Sequence, residues 1–177
     1  RTYEIIEDVK NFRSEIGVLF LNSYNRDVLT KMFDDNRLTY TSLFKARPHI
    51  FVSKSNPLAK HEVVSLEDLE DFPYLSYDQG IHNSFYYSEE ILSQIPHKKS
   101  IVVSDRATLF NLLIGLDGYT IATGILNSNL NGDNIVSIPL DIDDEIDIVY
   151  LKHEKATLSK MGEKFLDNLV KEVTFDN

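Results

Sequence analysis

The sequence contains no cysteine, which excludes disulfide bonds, zinc–thiolate sites and a thiol nucleophile. This absence fits a cytoplasmic protein. No apolar run approaches the ~20 residues that a membrane-spanning helix needs. The chain also opens directly into a helix-like pattern rather than a signal peptide. We therefore expect a cytoplasmic protein with no membrane partner.

Basic residues are scarce relative to acidic ones. The 177 residues include 18 Lys and Arg against 28 Asp and Glu, a net charge of −10. Affinity for a phosphate backbone comes from clustered Lys and Arg, so we do not expect this chain by itself to bind nucleic acid. With 42% hydrophobic residues, the chain can bury a core in one ordinary domain or in two small lobes.

Residues 100–124 carry the clearest pattern in the chain. Ile101–Val103 is short, apolar and β-branched, which predicts a strand buried on both faces within a parallel sheet. Ser104 and Asp105 follow where a helix N-cap belongs. Four leucines at spacings of three and four then predict one apolar helical stripe that ends at two glycines: Leu109, Leu112, Leu113 and Leu116. A second strand, Tyr119–Thr123, completes a βαβ unit.

This unit predicts a ligand-binding edge. In an open α/β sheet, ligands bind outside the carboxyl ends of the strands, where helix N-termini favour anions. We therefore expect Thr123 to lie beside Ser104, with both hydroxyls facing a crevice. The same residues can equally be caps that only satisfy backbone donors.

The remaining chain continues the alternation of strands and helices. Further strands are predicted at Ile16–Leu21, 37–47, His49–Ser53, Tyr74–Tyr77, Ile135–Ile138 and Ile146–Lys152. Helices are predicted at 2–12, capped by Thr2 and burying Ile5, Ile6, Val9 and Phe12; at 25–36; from Asn83 or Ser84 through Ile95; at 125–130; and at 159–173, burying Met161, Phe165, Leu169 and Val173. Ser65 and Asp68 predict a capping box, and Asn131–Gly132 predicts a turn.

Tyr74–Tyr77, the polar turn Asp78–Gly80 and the helix expected after it repeat the strand–turn–helix order of residues 100–124. Two such units side by side would direct two polar turns into one crevice.

The order of these elements, together with several short phrases, resembles the effector-binding domain of LysR-type transcriptional regulators. Glu15–Leu19 is similar to the acidic–apolar strand of that family. Ser55–Ala59 resembles its His-Pro-Leu-Ala crossover, with Asn56 in place of the usual His, and Val64–Leu69 resembles the segment that follows. Residues 100–124 are similar to the family's late strand–helix–glycine pattern.

The resemblance implies an α/β fold of two Rossmann-like lobes, of the periplasmic binding protein type II kind, with a small-molecule effector between them. Lobe I would comprise residues 1–53 plus 147–177, with its N-terminal part truncated, and lobe II residues 54–146. DNA binding would belong to an N-terminal helix-turn-helix that is absent from this chain. The full-length protein would be a homo-oligomer, a dimer or tetramer.

The effector site is predicted at strand ends and helix starts. The candidate residues are Ser76, Asp78, Gln79, Ser104 and Thr123 in lobe II, with Thr2 and Asn22 facing them from lobe I. Hydroxyls and backbone N–H groups would hold an organic anion such as a carboxylate or phosphate. If Asp78 or Asp105 faces the crevice, an amino-acid-like metabolite with an ammonium group is favoured. Alternatively, these residues only form caps and turns.

Neither a metal, a cofactor nor catalysis is expected. The five histidines show no i, i+4 pairing and are interpreted as surface or loop residues. The acidic run 141–146 lacks the glycine and glutamate of a calcium loop, and no nucleophile elbow or phosphate loop is present. Glu89–Glu90 lies on a predicted helix where one carboxylate can face water. The favoured function is a ligand-sensing regulatory module; a stand-alone solute-binding protein of the same fold is the alternative.

Overall fold

The computed structural model describes residues 1–127 and 132–175, with residues 174 and 175 described by their backbone alone. The chain divides into two units, Arg1–Ala46 with Glu145–Asn177 and Arg47–Asp144. The α-helices are α1 (Thr2–Lys10), α2 (Arg26–Asp35), α3 (Arg106–Gly115) and α4 (Lys160–Phe175). The strands are β1 (Gly17–Leu21), β2 (Leu38–Ala46), β3 (His49–Ser53), β4 (Tyr74–Tyr77), β5 (Ser100–Val103), β6 (Tyr119–Ala122), β7 (Ile135–Pro139) and β8 (Ile146–His153). Within the described ranges, every helix is too short or too polar to cross a membrane.

The first unit is built on a three-stranded antiparallel sheet in the order β1-β8-β2. The central strand β8 buries Val149 and Leu151 completely. Helix α1 packs against β1 and β8, and α2 packs against β2. Both helices are amphipathic and direct fully buried side chains inward, Ile6 from α1 and Phe33 from α2.

The first unit also buries one carboxylate. Asp147, near the start of β8, is 5% exposed. Its Oδ2 atom accepts a hydrogen bond from Nη2 of Arg26 at 3.2 Å, and its Oδ1 atom accepts one from the Ser42 hydroxyl at 2.5 Å. These contacts join α2 and β2 to the central strand.

The second unit contains a five-stranded mixed sheet in the order β5-β4-β6-β3-β7. Strand β4 runs parallel to β5 and β6, whereas β3 runs antiparallel to β6 and β7. Helix α3 covers one face of this sheet, where the buried core comprises Phe51, Leu75, Val103, Leu109, Leu113 and Ile135.

The predicted βαβ unit is present as β5, α3 and β6. Asp105 is the N-cap of α3, because its Oδ1 atom accepts the N–H of Thr108 at 2.9 Å. Gly118 permits the close approach of β6 to β4: a Cβ atom there would lie 2.9 Å from Cδ1 of Leu75. Leu116 lies beyond the end of α3 and is 49% exposed, so it does not join the predicted apolar stripe.

Strand β5 is not buried on both faces as predicted. It is the last strand in the order, and Val102 is 61% exposed. The β-branched run indicated a strand but could not indicate that the strand lies at a sheet edge.

Strand β3 lies in the second unit, whereas the expected lobe I of residues 1–53 plus 147–177 included it. It pairs with β7 along its whole length and with β6 from His49 to Val52. The units meet in sequence between Ala46 and Arg47 and between Asp144 and Glu145.

Two helices bury different residues from those predicted. Phe12 follows the end of α1, has a positive φ of 57°, and is 61% exposed. In α4 the buried positions include Leu166 and Val173, while Met161 and Phe165 are exposed. The carboxylate of Glu15 accepts hydrogen bonds from the N–H and the hydroxyl of Ser159, which lies just before α4.

The predicted helix from Asn83 or Ser84 through Ile95 is absent. Only a 3-10 turn, Phe85–Tyr87, forms there, and Leu92 has a positive φ of 61° that interrupts helical geometry. Of the predicted helix 125–130, residues 125–127 are not helical, and 128–130 lie outside the described residues, as does Asn131. The capping box is confirmed, since Asp68 Oδ2 accepts both the N–H and the hydroxyl of Ser65 at 2.8 Å.

Candidate functional site

Strands β4, β5 and β6 are parallel, so the turns that follow them leave the sheet on the same side, at the carboxyl ends of the strands. Tyr77 is aligned with Val103, and β4 and β6 are parallel through the pair Tyr74 and Tyr119. The N–H of Asp78 donates to the carbonyl of Val103 at 2.8 Å, which extends the ladder into the turn. Strand β4 lies between β5 and β6, so Ser104 neighbours the Asp78 turn and does not lie directly beside Thr123 as predicted.

Several candidate residues at this edge support the local backbone. Asp78 Oδ1 accepts the N–H of Gly80 at 2.9 Å, and Gly80 has the positive φ of 64° that this turn requires. Thr123 Oγ1 accepts the N–H of Ile125 at 3.4 Å. Ser104 is exposed and is not the cap of α3. Hydrogen bonds from the N–H and the hydroxyl of Thr108 lower the pKa of the capping carboxyl, Asp105.

The two candidates in the first unit are both buried. Thr2 is the first residue of α1 rather than its cap, because Arg1 occupies the N-cap position. Asn22 shapes the turn between β1 and α2: its Oδ1 atom accepts the N–H of Tyr24 at 3.2 Å and that of Asn25 at 3.1 Å. That these residues face those of the second unit stays a prediction.

Ser76, Asp78 and Gln79 line a common pocket of about 430 Å³. The pocket lies on the sheet face opposite the α3 core, because Tyr74 and Ser76 alternate with the core residue Leu75 along β4. The irregular segment 79–97 supplies the other wall. The structure thus brings three of the seven candidates together in one cavity within the second unit.

Glu90 is the pocket residue that the sequence analysis missed. Its side chain is 4% exposed, and its Oε1 atom accepts the backbone N–H of Tyr77 at 2.8 Å. The pKa of Glu90 is raised to about 8. Burial is the largest cause and raises it, the hydrogen bond from the Tyr77 N–H lowers it, and the nearby charge of Glu89 raises it. At neutral pH the carboxyl group of Glu90 is therefore mostly protonated. The sequence analysis had placed the pair Glu89–Glu90 on a predicted helix where one carboxylate can face water.

An aromatic pair forms another part of the pocket wall. The rings of Tyr74 and His97 stack at 3.8 Å between centroids and 10° between planes. Nε2 of His97 lies 3.3 Å from the carbonyl of Leu92 and must donate to it, so Nδ1 accepts from the Tyr119 hydroxyl at 3.0 Å. Burial lowers the pKa of His97, which keeps the ring neutral. Burial also raises the pKa of Tyr119 to about 12.

The histidines were predicted to be surface or loop residues. His153 departs from this prediction, because it is 8% exposed at the end of β8, with the ring of Phe12 at 4.3 Å. In residues 1–127 and 132–175, no group of three His, Asp or Glu side chains is placed to hold a metal ion.

Comparison with known proteins shows which family the chain belongs to. The model of the LysR substrate binding domain matches residues 1–174. No curated protein sequence matches the chain.

Solved structures share the fold at low identity. The effector binding domain of QuiR in complex with shikimate is 19% identical, with a TM-score of 0.64 over 96% of this chain and 77% of that chain. The BenM effector binding domain with its effector benzoate is 19% identical, with a TM-score of 0.62 over 97% of this chain and 74% of that chain. HinK, a LysR family transcriptional regulator from Pseudomonas aeruginosa, is 15% identical, with a TM-score of 0.63 over 97% of this chain.

This chain spans 57% of the HinK chain. At these identities the likeness establishes the fold, which confirms the predicted α/β architecture of the periplasmic binding protein type II kind. With the family model covering residues 1–174, the chain belongs to the LysR substrate binding domain family.

Proposed function

We propose that this chain is the effector-sensing domain of a LysR-type transcriptional regulator, and that a small metabolite bound between its two lobes controls DNA binding by the full-length protein. Family membership supports the regulatory role. Two structural neighbours are described with small organic acids, shikimate and benzoate, the second as an effector.

The observation that carries this proposal is the shared sheet edge. The turns after β4, β5 and β6 leave the second unit side by side, and three candidate side chains there line one pocket. The proposed effector contacts are Ser76, Asp78, Gln79, Ser104 and Thr123, with Thr2 and Asn22 opposite them. Ser104 is exposed, and its side chain hydrogen-bonds the carboxylate of Asp105, the cap of α3, so a ligand anion would take the place of that carboxylate at the Ser104 hydroxyl.

The proposed mechanism is a shift between two arrangements of the lobes. An effector changes that equilibrium only by its differential affinity for the two arrangements. In the full-length dimer or tetramer, this change would alter the spacing of the DNA-binding domains. The metabolite is an organic anion or an amino-acid-like molecule, and the domain itself performs no catalysis.

Calorimetry on the full-length protein tests the proposal with a panel of carboxylates, phosphorylated sugars and amino acids. We expect one chemical class to bind and to change the affinity for operator DNA. Ser104→Ala is expected to weaken effector binding about tenfold or more, the value of one charge-assisted hydrogen bond. Thr41→Ala, at an exposed position of β2, is the matched control and should bind like the wild type.

Absence of binding across the whole panel, or binding without any effect on DNA affinity, would refute the regulatory role. The gene sequence upstream of Arg1 distinguishes the two candidate functions. A helix-turn-helix there supports a regulator, and a signal peptide supports a stand-alone solute-binding protein.

A further inference from the structure

The pocket in the second unit exists because segment 79–97 does not form a helix. Strands β4 and β5 present aligned side chains to it, Tyr74 beside Ser100 and Ser76 beside Val102. A regular helix packed on this face would have filled the space with its apolar stripe. The irregular segment instead directs Gln79 and Glu90 inward and leaves a cavity of about 430 Å³.

Three buried oxygen atoms of residues that line this pocket have no hydrogen-bond partner among the described residues: Oε2 of Glu90, Oε1 of Gln79 and the hydroxyl of Tyr74. The amide of Gln79 is oriented by its Nε2 atom, which donates to Glu89 Oε1 at 3.1 Å, so its oxygen can only accept. All three residues are less than 10% exposed. Unpaired buried polar groups are costly. Once Glu90 is ionised, its Oε2 atom and the Gln79 oxygen are both acceptors, and a ligand that supplies two N–H groups would satisfy both.

The charged groups around Glu90 indicate whether a ligand that donates hydrogen bonds here would be neutral or positively charged. The titratable groups around Glu90 are Tyr74 and Tyr77 from β4, Asp78 from the turn, Glu89 from the same segment and the neutral His97. Strand β5 contributes no titratable group, and the lining residues include neither Lys nor Arg. The positive charge of Arg106 acts on Tyr77, and its guanidinium lies over the Phe110 ring at 4.5 Å.

We propose that this pocket binds a small organic cation with a primary ammonium group, held by the carboxylate of Glu90 and the amide oxygen of Gln79. The alkyl part of the ligand lies against the stacked rings of Tyr74 and His97. All of these residues belong to the second unit, and of the four only Gln79 is also a proposed effector contact.

Binding at this site is linked to a proton. An ammonium group pairs with the ionised form of Glu90, whereas burial raises the pKa of that carboxyl group to about 8 in the free protein. Below this pH the ligand must displace the proton, so the affinity rises about tenfold per pH unit from pH 6 to pH 8 and then levels. A ligand that accepts a hydrogen bond from the protonated acid would show the opposite trend.

The experiment titrates the 177-residue chain with n-butylammonium, butyramide and butyrate at pH 6, 7 and 8, following backbone amide shifts of residues 74–103 by NMR. We expect n-butylammonium to bind with the affinity rising toward pH 8, butyramide to bind more weakly without pH dependence, and butyrate not to bind. Preferential binding of butyrate, or a pH-independent affinity for n-butylammonium, would overturn the proposal.

Variants locate the site. Glu90→Gln keeps an acceptor for the Tyr77 N–H and should weaken n-butylammonium binding at least tenfold at pH 8 and remove its pH dependence. Gln79→Met removes the second acceptor at similar length, so the affinity should fall several-fold while the pH dependence remains. The matched control is Glu62→Gln at an exposed position, with wild-type binding expected. Unchanged binding in both Glu90→Gln and Gln79→Met would place the ligand elsewhere and refute the assignment.

Discussion

Within the described residues, each unit buries one carboxyl side chain, and the two side chains have opposite surroundings. Asp147 in the first unit is contacted by the guanidinium of Arg26 and the hydroxyl of Ser42. In the second unit, Oε1 of Glu90 accepts the backbone N–H of Tyr77, and its Oε2 atom has no hydrogen-bond partner in the part of the chain that the structure describes. Both are about 5% exposed or less.

The difference indicates what each group contributes. A buried carboxylate with a cation and a donor holds secondary structure elements together, because its charge is compensated where it lies. A buried carboxyl group without a cation is neutral near pH 7 and lowers the stability of the fold when it ionises. A group of this kind in a pocket is a candidate contact for a ligand.

The largest expected effect concerns pH. The folded-state pKa of Glu90 is about 8 against a usual value near 4.5, so the stability that it contributes is present below about pH 4.5 and is lost as pH rises toward 8. Glu90→Gln removes this loss. Relative to wild type, the variant should therefore gain on the order of 4 kcal/mol between pH 5 and pH 8. Urea unfolding of both proteins at pH 5, 6.5 and 8 measures this difference in the free energy of unfolding. A difference that stays the same at all three pH values would contradict the prediction.

The next largest effect is expected when the paired carboxylate, Asp147, is removed. Asp147→Ala deletes the acceptor of both Ser42 and Arg26. Because Arg26 is 39% exposed and regains water, we expect a loss of about 2 kcal/mol in the free energy of unfolding rather than the full cost of an isolated buried charge. Asp143→Ala, at an exposed position, is the control in urea unfolding. Equal midpoints for the two variants would show that the pair is dispensable.

A smaller effect is expected for an exposed carboxylate with a defined role. Asp105 caps α3, so Asp105→Ala should lower the thermal midpoint measurably but less than Asp147→Ala does. Ser104→Ala should leave the midpoint unchanged, because Ser104 is not the cap. The reverse order of these two variants would assign the cap to Ser104.

The smallest effect belongs to a carboxylate on the surface. Glu70 pairs with Lys98, and both side chains are more than half exposed. Solvent screens such a pair, so Glu70→Gln should leave the urea midpoint within experimental error. A clear loss would mean that exposure is a poor guide to the value of a carboxylate in this fold.

The strand and helix order was predictable because hydrophobic periodicity reports which faces are buried. The βαβ unit of residues 100–124 and the strands β3, β4 and β8 follow from such patterns. Sheet position was not predictable in the same way. The apolar run of β5 is the same whether the strand is central or at an edge, and only the pairing places Val102 in solvent.

The pocket could not be predicted because it depends on a helix that fails to form. Residues 84–95 carry a periodic pattern, yet the Glu90 side chain binds the Tyr77 N–H and Leu92 takes a left-handed conformation. Both are tertiary effects that override local preference. The polar turn Asp78–Gly80 was visible in the sequence, which is why Gln79 and Asp78 were candidates while Glu90 was not.

The order of the first sheet has a consequence for synthesis on the ribosome. Strand β8 lies between β1 and β2, yet it is translated after the whole of the contiguous second unit, residues 47–144. A nascent chain can therefore fold the second unit before β8, the strand that pairs with both β1 and β2, has been translated. Arg26 and Ser42 likewise find their partner only with Asp147, so the first unit is completed only after β8 has been translated.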